Sequence, residues 1–332
     1  MRAVVLVGGF GTRLRPLTLT TPKPLLPVGH RPVLEHICSN LARAGIDEVV
    51  LSLGFNPDAF RAAYADGECA GVRLVYAVEP EPLDTAGAIR FAAEVDGIDQ
   101  TFVVFNGDVL TDLDIGALIA FHRSHGGEGS IHLTPVDDPS AFGVVPTDPD
   151  GRVLAFIEKP PRDEAPTNLI NAGTYVLEPS VLGRIATGRR VSIEREVFPA
   201  MVADGTLFAM ATDDYWLDVG RPELYVQANL DLLDGRRHHL SCDALGDGVA
   251  VSTGADVRNS VVGDRSQIRA GALVTDSVLL PGSFVGAGAQ VLRSALGAGV
   301  EIGEGAVLVD TVLGDGTVVA AGAHLEGARL PV

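Results

Sequence analysis

The sequence predicts an α/β chain: a Rossmann-like, mostly parallel sheet domain followed by a left-handed parallel β-helix of hexapeptide repeats. Three observations carry this expectation. Short β-rich apolar runs alternate with helical stretches up to about residue 230, a 17-residue repeat fills the tail, and a glycine-rich loop directly follows the first apolar run. The expected boundaries are the α/β sheet domain over 1–233, a linker over 234–244 and the β-helix over 245–332.

The first domain reads as an ordered alternation. The runs Ala3–Val7, Val49–Leu53, Val72–Val78, Thr101–Phe105, Ser130–Val136 and Asn171–Leu177 suit strands. Pro32–Ala44, Pro57–Ala65, Ala86–Glu94 and Asp114–His125 have helical spacing and good helix formers. Sheets built this way bind ligands at the carboxyl ends of their strands, so chemistry is expected just after the apolar runs.

The tail has a different grammar. Leu245, Val262, Leu279, Leu296 and Leu313 stand 17 residues apart. Val251, Ile268, Val285, Ile302 and Val319 follow six residues later, then Val257, Val274, Val291, Leu308 and Leu325 after six more. Two sixes and a five per turn describe a three-sided coil whose aliphatic side chains stack inward. Gly254, Gly271, Gly288, Gly305 and Gly322 recur where a tight corner needs them. The polar stretch DGRRHHLSCD reads as linker, with His238 and His239 as solvated residues or, less simply, metal ligands short of a third donor.

Composition narrows the partners. A formal charge of -18 argues against nucleic acid or an anionic membrane, so an anionic ligand would need a locally basic site or a metal. Cys38, Cys69 and Cys242 form neither a disulfide framework nor a zinc knuckle, which suits a reducing compartment. No apolar run reaches membrane-span length, and the expected location is cytoplasmic.

The opening loop, GGFGTRLRPLT, fails two phosphate templates: it lacks the GK[ST] ending of a P-loop and the third glycine of a dinucleotide fingerprint. Gly8, Gly9 and Gly11 would let backbone amides approach phosphate and base, and Thr12 adds a hydroxyl. Arg13 lies inside the loop, where its guanidinium could grip a departing pyrophosphate bidentately. Lys23 is held between Pro22 and Pro24, which restrict the backbone that presents its ammonium.

These motifs resemble the sugar-1-phosphate nucleotidyltransferases, and the hexapeptide tail is similar to that of the mannose-1-phosphate guanylyltransferase subgroup. The likeness continues through Asn106-Gly107-Asp108, Phe142-Gly143, Glu158-Lys159-Pro160, Asn171-Ala172-Gly173 and Trp216–Gly220. The family implies an NTP, most simply GTP, and a hexose 1-phosphate, most simply mannose 1-phosphate, as partners. It implies Mg²⁺ held by Asp108 and Asp218, a suitable pair of hard oxygen donors. Arg13, Lys23 and Lys159 would be catalytic, the last holding the sugar phosphate. Leu6, Gly8, Gly9, Gly11, Thr12, Asp84, Gly87 and Asn106 would line the nucleotide with Arg13 and Lys23. Gly143, Glu158, Lys159, Asn171 and Gly173 would bind the sugar phosphate, although Glu158 beside Lys159 could also be a structural ion pair.

Base choice rests on PEPLDTAGAIR. Relatives usually carry Gly where Asp84 stands; its carboxylate could accept from guanine or cap the helix that follows. Gly87 stands where pyrimidine-preferring relatives tend to carry glutamine, which would leave room for a purine. Other readings remain: adenylyl, thymidylyl or uridylyl transfer to glucose 1-phosphate, or a non-catalytic sensor regulating a partner. A third would use His324 for acyl transfer at a groove of the β-helix, whose tail is otherwise expected to shape a homo-oligomer.

Overall fold

The computed structural model describes residues 1–54, 57–238 and 240–331. The chain folds as two compact units: Met1–Gly9 with Leu34–Trp216, and Phe10–Val33 with the chain from Leu217 onward.

In the first unit the described residues form a mixed sheet of ten strands, eight of them in the order Ile157–Glu158, Gly143–Val144, Leu169–Leu177, Phe102–Asn106, Arg2–Leu6, Glu48–Leu53, Val72–Val78, Glu68–Cys69, with Gly129–Pro135 branching from Leu169–Leu177 and Leu207–Ala211 pairing with that branch. Arg2–Leu6 lies parallel to both Glu48–Leu53 and Phe102–Asn106, whereas Leu169–Leu177 runs antiparallel to Phe102–Asn106 and to Gly129–Pro135. Each strand predicted from an apolar run overlaps that run. Glu48–Leu53 is buried along its whole length, as a central parallel strand covered on both faces should be. Helices Val33–Arg43, Pro57–Ala63, Asp84–Asp96 and Ile115–His125 occupy the four expected stretches. Asp114 caps the last of these by accepting from the Ala117 amide at 3.0 Å. The core joins Val4, Val50, Val104, Ile131, Tyr175 and Phe198, among others.

The second unit contains three five-stranded parallel sheets whose strands pair at a spacing of 17 residues, such as Val274↔Val291 and Val285↔Ile302. This is the β-helix read from the repeat. Ile268, Val285, Ile302, Val274, Val291, Leu308, Leu279, Leu296 and Leu313 are buried in its core. The first coil departs from the inward pattern: Leu245 is 41% and Val251 40% exposed, since a stack covers a side chain only where another coil lies against it. The five corner glycines, Gly254, Gly271, Gly288, Gly305 and Gly322, all have positive φ, from 66° to 81°, which explains their recurrence. A second corner uses Asn259, Asp276, Arg293 and Asp310 in the same left-handed region, positions the repeat did not reveal.

Segment Phe10–Val33 belongs to this second unit. It is a chain of short 3-10 turns, Thr12–Leu14, Leu17–Leu19 and Lys23–Leu25, ending in the small hairpin Pro27–Val28/Arg31–Pro32. Helix Pro222–Leu233 anchors that hairpin: buried Asn229 accepts from the Gly29 amide at 2.8 Å, and Tyr225 donates to the Pro27 carbonyl. Gly29 has φ +65°, and a β-carbon there would lie 2.7 Å from Leu232 Cδ2, so neither the backbone nor the space admits another residue.

Candidate active site

In the sheet unit, residues from separate motifs converge because their strands are neighbours. Glu158 and Gly143 face each other across an antiparallel pair, and Lys159 Nζ lies 3.0 Å from Glu158 Oε1. The Lys159 side chain is 57% exposed and Glu158 23%. The lysine's backbone has φ +50° and is tied by the Lys159 amide to the Phe142 carbonyl at 2.9 Å. Such a non-glycine conformation persists where surrounding structure fixes it, and it turns the lysine out of the strand.

Asn171 is shaped by its own motif. Its Oδ1 accepts from the Gly173 amide at 3.1 Å and its Nδ2 donates to the Tyr175 hydroxyl at 2.9 Å. Gly173 takes φ +77° at the irregularity between Asn171 and Tyr175, and a β-carbon there would lie 2.6 Å from Asn106 Nδ2. The N-A-G and N-G-D motifs therefore interlock. Gly107 closes the second in the same way, its amide donating to the Leu6 carbonyl at 2.9 Å while an added β-carbon would meet that oxygen at 2.6 Å. Trp216 completes the rim, donating from Nε1 to the Ala172 carbonyl at 2.9 Å and standing edge-on to Phe142.

Tyr175 reports the electrostatics. Burial raises its phenol, and Glu194, Glu158 and Asp108 push it further in the same direction. The charges of all three acids bear on this one buried phenol, while its hydrogen bond with Asn171 acts the other way. Glu194 was missed by sequence reasoning. It sits in a π-turn, Ile193–Val197, where Glu194 Oε2 accepts from Thr85 Oγ1 at 2.8 Å and from Ser192 Oγ at 2.9 Å. Its only signal was one more acidic residue in SIEREV, with no spacing to distinguish it.

The nucleotide-loop residues of this unit are held closely. A β-carbon on Gly8 would lie 3.2 Å from the Gly54 amide nitrogen and 3.5 Å from Glu79 Oε1, while Gly9 faces open space. Glu79, a second residue missed from sequence, is only 9% exposed and accepts from Ser52 Oγ and the Leu83 amide. It pins the loop that presents Asp84. Asp84 itself has φ +61° and accepts from the Thr85 amide at 2.8 Å, so its carboxylate satisfies a donor of the first helical turn. That left-handed conformation is one glycine adopts without strain. The room expected at Gly87 is absent: a β-carbon there would stand 2.9 Å from the Arg189 carbonyl, because Ala86 and Gly87 both donate to Val191 O. Gly87 permits backbone packing and supplies no argument for a purine.

In the second unit, Arg13, Lys23 and Asp218 come together. Lys23 is buried, with Nζ 3.6 Å from Asp218 Oδ1. A β-carbon on Gly220 would lie 2.8 Å from Asp218 Oδ1 and 2.9 Å from Arg13 Nη2, so the carboxylate and guanidinium both close over that glycine. Gly11, with φ +59°, starts the turn that carries Thr12 and Arg13, both exposed, and its carbonyl accepts from Thr18 Oγ1 at 2.7 Å.

The remaining candidates stand apart from these clusters. His324 is exposed on a strand of the last coil, and His239 lies outside the described residues. Among the described residues no three His, Cys, Asp or Glu side chains gather as a ready-made metal cage. No helix of the described residues is long and apolar enough to cross a membrane.

Comparison with known proteins decides the family. A nucleotidyl transferase family model matches residues 2–235, and a GlmU-like C-terminal hexapeptide model matches residues 231–311. The chain belongs to the nucleotidyl transferase family. Over 263 residues it is 47% identical to a mannose-1-phosphate guanylyltransferase of Mycobacterium tuberculosis, covering 76% of this chain and 72% of the relative. A mannose-1-phosphate guanyltransferase of Aspergillus fumigatus is 47% identical over 227 residues, covering 67% of this chain and 62% of its own length. Among solved structures, HddC from Yersinia pseudotuberculosis matches with TM-score 0.59 and 29% identity, covering 69% of this chain and 97% of its own. A putative glucose-1-phosphate thymidylyltransferase from Bacillus anthracis matches with TM-score 0.63 and 25% identity, covering 69% and 94%.

Proposed function

We propose that this nucleotidyl transferase joins GTP and mannose 1-phosphate to give GDP-mannose and pyrophosphate. The observation that carries the reading is the meeting of Arg13 and Lys23, two cations from an anion-binding motif, at the carboxylate of Asp218. A cluster of that kind suits a polyphosphate better than a neutral ligand. The choice of guanine and mannose rests on the relatives, since Gly87 does not discriminate bases.

The sugar phosphate is already an anionic nucleophile near neutral pH, its second pKa being ~6, so no general base is needed. One of its phosphate oxygens attacks the α-phosphorus of the nucleotide. The bond from that phosphorus to the α,β-bridging oxygen breaks, and pyrophosphate leaves with the electron pair. Lys159 holds the attacking phosphate and offsets the repulsion between two anions brought into line. Arg13 and Lys23 take up the charge that grows on the departing pyrophosphate. Glu158 and Asn171 hydrogen-bond sugar hydroxyls, penalising an epimer that leaves one of them unpaired.

Asp108 and Asp218 are the residues that would hold Mg²⁺, a hard ion that keeps waters and phosphate oxygens as ligands and so needs few carboxylates. When bound it neutralises charge on the reacting phosphates. We place the enzyme in the cytoplasm, acting as a homo-oligomer on small-molecule substrates without nucleic acid or membrane. A panel of four NTPs against mannose, glucose and fucose 1-phosphates, following pyrophosphate, tests the reading. The expected result is turnover best with GTP and mannose 1-phosphate; no turnover with any pair refutes it.

A further inference from the structure

The loop that carries Arg13 has little regular structure of its own. Between Phe10 and Leu26 it forms only three short 3-10 turns, and Arg13 and Thr12 are exposed. Short turns of this kind leave the chain mobile unless something outside them holds it. Leu14 and Leu17 anchor it by burial, and its long-range polar contacts come from the far end of the sequence. Thr20 Oγ1 donates to Asp315 Oδ2 at 2.6 Å, across 295 residues. Arg329 Nη1 donates to the carbonyl oxygen of Arg13 itself at 3.3 Å. A β-carbon on Gly314 would lie 3.1 Å from Pro16 Cβ and 3.3 Å from Pro16 O, so the coil reaches the loop backbone at a residue with no side chain.

Asp315 is itself fixed. Its other oxygen, Oδ1, accepts from the Ala298 amide at 2.8 Å, tying it to the preceding coil. Leu313, immediately before Gly314 and Asp315, is fully buried in the β-helix core. Arg329 begins the strand Arg329–Leu330, paired in register with Val312–Leu313. Two neighbouring turns of a stacked coil therefore present an acceptor, a donor and a glycine surface to one loop.

We propose that the β-helix is part of the phosphate-handling apparatus: Asp315 and Arg329 are positioning residues that hold the Arg13 loop in the geometry that grips pyrophosphate. They act through Thr20 and through the Arg13 carbonyl, and touch no substrate. This inference rests on the proposed nucleotidyl transfer for its kinetic consequence. Its structural content, that the coil orders the loop, stands independently.

The test uses the full chain with Thr20→Val, which removes the hydroxyl while leaving the Asp315–Ala298 bond, and Arg329→Met, which removes the guanidinium while keeping an unbranched apolar stem. In the reverse reaction each variant is expected to raise KM for pyrophosphate about tenfold, the equivalent of one lost hydrogen bond to a charged group. The KM for mannose 1-phosphate in the forward direction and the melting temperature should stay near wild type, and Thr20→Ser should restore pyrophosphate KM. A general weakening of the fold would move all three quantities together. Amide hydrogen exchange without substrate gives a readout independent of turnover: residues 11–19 should exchange faster in both variants while the amides of Phe284–Val285 and Glu301–Ile302 stay protected. Unchanged pyrophosphate KM in an active wild-type background, or unchanged protection of 11–19, overturns the inference. A wild-type chain that turns over no nucleotide refutes the proposed function, and the exchange measurement then still decides whether the coil orders the loop.

Discussion

The proposed sugar side and the proposed phosphate side of this enzyme are built by opposite means. Glu158, Asn171 and Gly173 sit on strands of one sheet, with the nucleotide-lining candidate Asn106 packed against Gly173, and sheet register alone brings them together. Arg13 and Lys23 sit on a segment of short turns, and their geometry depends on partners about 200 to 316 residues away in sequence. A register is fixed by many backbone hydrogen bonds at once, whereas a buttressed loop depends on a few contacts. The first arrangement should therefore resist single substitutions at its periphery, and the second should be sensitive to them.

The largest expected effect is at the carboxylate of the phosphate side. Asp218→Asn should lower kcat about a thousandfold or more, because it removes a predicted metal ligand and the partner of buried Lys23. Pyrophosphate release at saturating substrates checks this. Next comes a substitution that breaks the sheet-side geometry from within: Gly173→Ala. With φ +77° and Asn106 Nδ2 2.6 Å from the added carbon, something must shift, and a displacement near 1 Å costs about a hundredfold in kcat/KM for the sugar phosphate. Because Asn106 is expected to line the nucleotide, its KM should rise too, whereas the KM for pyrophosphate should change far less; if that suffers equally, the two sides are not built separately.

Lys159→Met should raise KM for the sugar phosphate about thirtyfold, in the range of one lost charge-assisted hydrogen bond. Steady-state kinetics with each substrate varied in turn would show it, with the nucleotide KM near wild type. The smallest effect concerns stability. His132 is buried in the sheet unit and burial lowers its pKa to about 4 from an ordinary 6.5, with Thr212 Oγ1 its neighbour at 2.9 Å. The unfolded chain binds the extra proton between these values, so this histidine's contribution is fully present above pH 6.5 and is lost as pH falls toward 4. The upper bound is about 3 kcal/mol. Melting temperature measured from about pH 7 to about pH 4.5 should fall more steeply in wild type than in His132→Gln, and equal slopes would remove His132 from the account.

Much of this was legible locally. The strand and helix positions followed from apolar runs, because burial of one face imposes a period that neighbours in sequence express. The coil followed from a 17-residue repeat for the same reason, and the corner glycines from their need for positive φ. The motifs around Asp108, Lys159, Asn171 and Asp218 supplied the proposed site residues. Glu194 and Glu79 were not legible, since an acid is recognisable as a site residue only by what it faces. Gly87 was misread: glycine in a sequence announces missing volume without saying whether a ligand or a backbone carbonyl fills it.

By itself the sequence determined the fold class and the repeat architecture, and it supplied the residues proposed to meet phosphate and sugar, all of them consequences of local periodicity or short motifs. Only the tertiary structure decided which partners hold them. It joined Asn106 to Gly173 through antiparallel pairing, set Lys23 and Arg13 beside Asp218, and attached the Arg13 loop to the β-helix through Thr20, Asp315 and Arg329. Contacts between residues hundreds of positions apart leave no period in the chain, because they are fixed by how whole coils and sheets pack rather than by the spacing of neighbours.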